Sequence, residues 1–195
     1  MKGFRKLSQV LGALGKGYAV DSFMGGFPVT QIMMDVATAS GNGVLASTTL
    51  ASGVETTVTS GITSPAAYRN LTIKGGQSGQ VGSVTILGKD WADRTITESI
   101  ALSGSSTVQG VLPFKHIDKI IFPARHASGD TVIVGWGNKL GLYRPIEASG
   151  DIVLLKVAGT GESAAAVSAA YGTITPTTVP NGTRDYEISY LTKQF

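Results

Sequence analysis

From residue 44 onward the chain repeats one pattern: short runs rich in valine, isoleucine and threonine that alternate with polar residues, each closed by glycine, asparagine, aspartate or proline. The runs are VLASTTL, VETTVTS, RNLTIKG, SVTILGK, RTITESIAL, STVQGVLPF, IDKIIFPA, TVIVGWG, DIVLLKV, GTITPTT and DYEISYL. A period of two puts successive side chains on opposite faces of a strand, whereas a helix needs apolar positions three and four apart. About ten such strands with no long helical pattern between them predict an all-β fold: an antiparallel β-sandwich, jelly-roll-like, rather than a βαβ fold. One segment, GESAAAVSAAYG at 161–172, is rich in helix-favouring alanine, but its flanking glycines and its shortness leave helix and non-helix both open.

The first 43 residues do not share the pattern, and the expected division is an N-terminal arm and connector, 1–43, followed by a β-sandwich domain, 44–195. In the arm, Phe4, Leu7, Leu11 and Leu14 recur at helical spacing while Lys2, Arg5, Lys6 and Lys16 carry charge with no acid among residues 1–20. The arm is therefore expected to be extended and partly helical, although Gly12 and Gly15 each weaken a helix by roughly 1 kcal/mol relative to alanine. Its apolar stripe has little to cover it unless it docks on a neighbouring subunit, which makes Lys2, Phe4, Arg5, Lys6, Leu7, Leu11 and Leu14 candidate interface residues. The following FMGGFPVTQIMMDVATAS, 23–40, has a Gly-Gly pair and a proline and reads as connector.

Composition narrows the function. Apolar residues at 42% suffice for a core, while charged residues at 15% leave a weakly charged exterior that is poorly protected against association. The net charge of +3 comes from the arm; the remainder is near neutral, without the clustered bases of a folded nucleic-acid-binding face. Nucleic acid is thus an unlikely partner, retained only as a weak electrostatic hold by the arm. Cysteine is absent, which removes disulfides, thiolate metal sites and cysteine nucleophiles. The basic start is followed by too short an apolar run for a secretory signal, and no run approaches the ~18 residues of a membrane span. A soluble protein made in a cytoplasm, with no membrane partner, is expected.

No constellation for catalysis stands out. Asp90 and Asp93 in KDWADRT lie between two strand patterns and are expected to cap a hairpin turn; two local carboxylates are too few for calcium. Glu98 falls in phase with Ile96, Ile100 and Leu102, so it faces a core and needs a partner: a lysine or arginine on a facing strand, or a subunit boundary. His116 and His126 do not have metal-ligand spacing, and no G-x-S-x-G elbow occurs. The glycines of VGWGNKLGLYRP, 134–145, are not spaced G-x-G-x-x-G, and no helix follows to hold a pyrophosphate. No catalytic residue, cofactor or metal is expected. That segment instead reads as a strand ending at Val134, a bend around Trp136, and a turn over Asn138–Gly141 before Leu142 re-enters a core.

From about residue 65 to 147 three stretches carry a resemblance: SPAAYRNLTIKGG, then GSVTILGKDWADRTITESIALSGSSTVQGVLPFKHIDKIIFPA, then DTVIVGWGNKLGLYRPIE; NGTRDYEISY near the end adds a fourth. Together they resemble a β-rich structural protein of tailed-bacteriophage heads, with its RN-L strand, its VTI-to-ITE hairpin and its GWGNKLGL segment. The sequence departs from that pattern where WADRT replaces the glycine usual after the turn aspartate, and the arm has no counterpart in it. The resemblance implies a capsid decoration, or cement, protein: a non-enzymatic β-sandwich that binds the outside of the major capsid protein shell and stabilises it. It further implies a homotrimer, located in the virion capsid after assembly in the bacterial host cytoplasm. Trp136, Tyr143 and Arg144 complete the candidate interface residues. Two alternatives remain open, a tail or neck structural component and a receptor- or carbohydrate-binding module in which Trp91, Trp136 and Tyr143 provide stacking faces.

Overall fold

The computed structural model describes residues 26–193. Their strands, in chain order, are β1 (Gly26–Met33), β2 (Ser40–Thr49), β3 (Thr56–Val58), β4 (Arg69–Gly75), β5 (Ser83–Lys89), β6 (Thr95–Ala101) and β7 (Thr107–Phe114). They continue with β8 (His116–Phe122), β9 (Thr131–Gly141), β10 (Ile152–Val157), β11 (Thr160–Glu162), β12 (Ala164–Ser168), β13 (Thr173–Pro176) and β14 (Tyr186–Lys193). The only helical element among the described residues is the 3-10 turn Ser149–Asp151, so none of their helices can cross a membrane. The all-β expectation holds, and every period-two run forms a strand. The helical arm and its seven candidate residues, Lys2 to Leu14, lie outside the described residues.

The strands form three sheets with antiparallel pairing. The first has the order β1-β14-β10-β11, the second β12-β13-β9-β4-β7 with β2 also on β9, and the third β3-β8-β5-β6. Alternation decides which side chains go inward: in β5 Val84 and Ile86 are fully buried, and in β8 Ile120 and Phe122 are, while a ladder irregularity before Ile120 lets Ile117 be buried as well. These join Leu71, Ile73, Val132 and Val134 from the second sheet in one apolar cluster. A second cluster packs Leu140 and Ile174 against Ile188, Tyr186, Tyr190 and Leu155 of the first sheet. Each aliphatic side chain so buried contributes roughly 1.5–3 kcal/mol.

Strand β9 serves both clusters. One edge follows β4 from Val132 to Leu140; the other takes β2 beside residues 131–136 and β13 beside Leu140 and Gly141. With neighbours this close, its glycines are steric requirements. A Cβ at Gly135 would strike the carbonyl of Ser40, and one at Gly141 would enter the ring of Tyr68. The strand does not end at Val134, nor is 138–141 a turn: the ladder continues to Gly141 through a bulge. Between the pairs Arg69 with Leu140 and Leu71 with Trp136, β4 advances two residues while β9 passes Gly137, Asn138 and Lys139.

Arg69 and Asn70 hold that bulge. The Arg69 guanidinium, 1% exposed, donates from Nε to the Gly137 carbonyl at 2.7 Å, from Nη2 to the same oxygen, and from Nη1 to the Ala37 carbonyl at 2.6 Å. Burial lowers its pKa to about 10, which still leaves it ionised at neutral pH. Asn70 accepts the Lys139 N–H at 3.0 Å and donates to the Gly110 carbonyl of β7 at 3.2 Å. Carbonyl groups freed by the irregular ladder are thereby satisfied by side chains of the adjacent strand.

One further expectation is corrected, and one alternative left open is decided. Residues 26–33 are not connector: β1 pairs along its whole length with β14, and as an edge strand it tolerates Pro28, which has no N–H to give a second neighbour. The alanine-rich segment is not helix either. Its residues form β11 and β12, with β12 on β13, because a segment bounded by Gly161 and Gly172 is too short to repay helix nucleation while a ladder is available.

Arg69→Met keeps the apolar stem but leaves the Gly137 and Ala37 carbonyls without their donors; an unfolding penalty of about 2–4 kcal/mol is expected. Arg69→Lys recovers only part of it, because an ammonium lacks the planar fork. Urea midpoints at fixed slope check both, and a loss below about 0.5 kcal/mol for the methionine variant contradicts the assignment.

Candidate functional site

Several aromatic and cationic side chains converge on the described surface where two depressions adjoin. A cleft of about 480 Å³ is lined by Ile32, Met34, Tyr68, Trp91, Lys115 and Tyr143, among others. A smaller depression of about 190 Å³ adjoins it, sharing Tyr68 and Trp91 and adding Arg94, Arg144 and Tyr171. Six separated parts of the chain meet here: the end of β1, the segment before β4, the β5–β6 hairpin, Lys115 between β7 and β8, the exit of β9 and the β12–β13 turn.

Each wall is fixed from below. Gln31 of β1, 1% exposed, donates to the Gly141 carbonyl at 2.9 Å and accepts the Tyr143 N–H at 2.8 Å. The buried Tyr190 hydroxyl accepts the Arg144 N–H at 3.1 Å. On the opposite wall Asp90 is buried and accepts the N–H groups of Ala92 at 2.9 Å and Arg94 at 3.0 Å, as expected of a turn cap. The same turn explains WADRT. Asp93 takes the left-handed conformation, φ 59°, that glycine otherwise fills, and its carboxylate accepts from Lys115 at 2.8 Å. That bond holds Asp93 below the usual carboxylate range. Tyr68 rests on Gly141, and burial, then the charge of Asp90, raises its pKa to about 12.

Trp91 lies where the two depressions adjoin, with Tyr143 lining the cleft and Arg144 the smaller depression; Trp136 lines neither. The Arg144 guanidinium lies 5.1 Å from the centroid of the Trp91 ring, within cation–π range. Trp136 packs on the first cluster, its indole N–H donating to the Thr38 carbonyl at 2.9 Å, with Gly43 beneath its ring. It is a plug between β2 and β9. Nothing in the sequence singled out Tyr68, although its place directly before the buried Arg69 is the local signal that it flanks a fixed strand start.

Two other groups bear on chemistry. Ser64 Oγ lies 3.0 Å from His116 Nδ1, and His116 Nε2 lies 3.4 Å from Asp118 Oδ1, a serine–histidine–aspartate chain on the surface. Its ring nitrogens are used in the reverse of the hydrolase order, and both His116 and Asp118 are solvent-exposed. Ser64 Oγ also accepts the Ile117 N–H at 3.0 Å, so the chain fastens residue 64 to β8. No group of three metal-ligating side chains occurs among the described residues. Comparison with known proteins finds no matching family model, and no curated protein or solved structure that matches this chain.

Glu98 faces the core as its phase implied, but its partners differ from those expected. Oε1 accepts the backbone N–H groups of Val111 at 2.5 Å and Leu112 at 3.3 Å, across from β6 to β7, and Oε2 is buried without a hydrogen-bond partner. The bulged course of β7 presents those N–H groups, which sequence phase alone does not reveal. Burial raises the Glu98 pKa, and the two N–H bonds and the charge of Lys139 oppose that rise.

A folded pKa above the unfolded value gives stability that is fully present below the unfolded pKa and lost as pH rises through the folded one. Glu98→Gln keeps the acceptor without a buried charge. Its midpoint is expected to exceed that of the parent at pH 7, with the gap closing as pH falls towards 4. Glu98→Ala strands two N–H groups and is expected to cost about 1–3 kcal/mol at both pH values. Denaturant titrations across this range check the pattern; equal pH profiles for parent and glutamine variant contradict it.

Proposed function

We propose that this chain is a virion structural protein, a capsid decoration protein that binds the outside of a tailed-phage major capsid shell and stabilises it by subunit contacts. The observation that carries the reading is where the resembling residues sit. Arg69, Asn70 and the GWGNKLG segment of β9 interlock in the interior, with Arg69 donating to Gly137 and Asn70 accepting from Lys139. A pattern made of buried, mutually dependent residues specifies a scaffold rather than a reacting site, which supports a role exercised through contact. The finer fold reading, a jelly-roll-like β-sandwich, belongs to the same proposal; the apolar cluster between the faces of the second and third sheets supports it.

The site of contact follows from the edges. β1 is the outer strand of its sheet, with Phe27 65% and Ile32 60% exposed, and it continues directly from the arm. In this reading β1 and the arm residues Lys2, Phe4, Arg5, Lys6, Leu7, Leu11 and Leu14 lie across neighbouring subunits in a homotrimer. Stable contacts of this kind bury about 800 Å² per partner, and repetition over a shell multiplies modest affinities.

Light scattering on the purified chain is expected to give three times the 20.1 kDa chain mass. Added to phage heads stripped of decoration, the protein should raise the temperature at which packaged DNA escapes, and deletion of residues 1–20 should lower its occupancy. A monomer that leaves head rupture unchanged contradicts the proposal; a ring present in few copies per virion replaces it with a tail or neck component.

A further inference from the structure

The geometry points to the Trp91–Tyr143–Arg144 cleft as a binding site for a saccharide bearing a single carboxylate. This goes beyond the structural role and does not depend on it.

The aromatic surface comes first. Trp91, Tyr68 and Tyr143 line one depression, and Tyr143 is 40% exposed. Sugar rings present flat C–H faces that stack on such side chains, while their hydroxyls need water or polar neighbours at the rim. The cleft that Tyr143 lines, about 480 Å³, falls within the roughly 300–1,000 Å³ usual for small-ligand sites, and Arg144 lines the adjoining depression of about 190 Å³ that shares Tyr68 and Trp91 with it.

Charge then selects the class. Arg94 is matched by Asp90 at 2.8 Å and Lys115 by Asp93 at 2.8 Å. Among the described residues Arg144 has neither a carboxylate within ion-pair distance nor a hydrogen bond from its guanidinium, which lies over Trp91. One uncompensated guanidinium suits one carboxylate, taken up in the bidentate manner of arginine. A nucleic acid strand would call for a track of unmatched cations, and this cleft offers one.

Rigidity is the third strand of the case. A site gains affinity when its groups are already fixed, because less freedom is lost on binding. Here Gln31 and Tyr190 fix the backbone of Tyr143 and Arg144, and Asp90 fixes the turn that carries Trp91. These are buried polar groups used to hold exposed ones in place. On a plain surface turn, tyrosine and arginine side chains would have no need of such support.

The test uses the full chain and its tryptophan fluorescence, with sialyllactose and methyl glucuronide, each bearing one carboxylate, as acidic probes and lactose as the neutral one. Trp136→Phe leaves Trp91 as the remaining reporter. The acidic sugars should give a saturable change and lactose a response at least about tenfold weaker, with Arg144→Gln losing at least about tenfold in affinity for the acidic probes. Arg144 and Tyr143 are exposed, so Arg144→Gln and Tyr143→Ala should leave the melting temperature unchanged. The proposal is overturned by no saturable response to either acidic sugar or to any acidic glycan on an array, or by undiminished binding in Arg144→Gln. Tighter binding of an acidic peptide or a single-stranded oligonucleotide would overturn it as well. Because these readouts need no phage head, their failure leaves the decoration proposal standing, and the reverse is equally true.

Discussion

A guanidinium buried without a carboxylate needs neutral oxygens as acceptors, and the backbone offers them where a ladder is broken or where a connection passes close by. Arg69 and the bulge of β9 satisfy that condition for each other: the strand loses regular pairing at Gly137–Lys139, and the arginine takes the freed Gly137 oxygen together with that of Ala37 in the β1–β2 connection. An ionised group in so dry a place costs several kcal/mol by itself, so the arrangement is stable only as a whole. Asn70 completes it by tying Lys139 of β9 to Gly110 of β7.

The position of this arrangement gives it reach. Val132 and Val134 on one side of the bulge belong to the first apolar cluster, Leu140 on the other side to the second. The bulge therefore sets where the second half of β9 lies relative to the first. It delivers Gly141 beneath Tyr68 and brings Tyr143 and Arg144 within reach of Gln31 and Tyr190. Core and cleft are consequences of one local irregularity, linked through successive residues of a single strand.

Much of this was legible in the sequence, and the remainder has definable causes. Period-two runs located β2 to β10, β13 and β14 because one half-buried face leaves a local signature. β1 was hidden by Gly25, Gly26 and Pro28, which signal a break locally yet are tolerated on an edge strand. β12 was hidden by alanine, whose helix preference is weak beside a long-range ladder. For Glu98 the burial was readable but not the partner, since the bonding N–H groups lie on a different strand. The cleft was least readable of all: Trp91 and Tyr143 were visible as stacking residues, but only the fold separates them from Trp136 and sets Arg144 beside them.

The central claim is that the two apolar clusters form one cooperative unit through β9, and native-state hydrogen exchange reads this most directly. The amides of Val134 in one half of the strand and Leu140 in the other should open with the same free energy and the same denaturant dependence, equal to those of global unfolding. Exchange of Leu140, together with Ile188 and Tyr190 of β14, at a distinctly lower free energy than Val134 would mean that the second cluster opens alone, and would contradict the account.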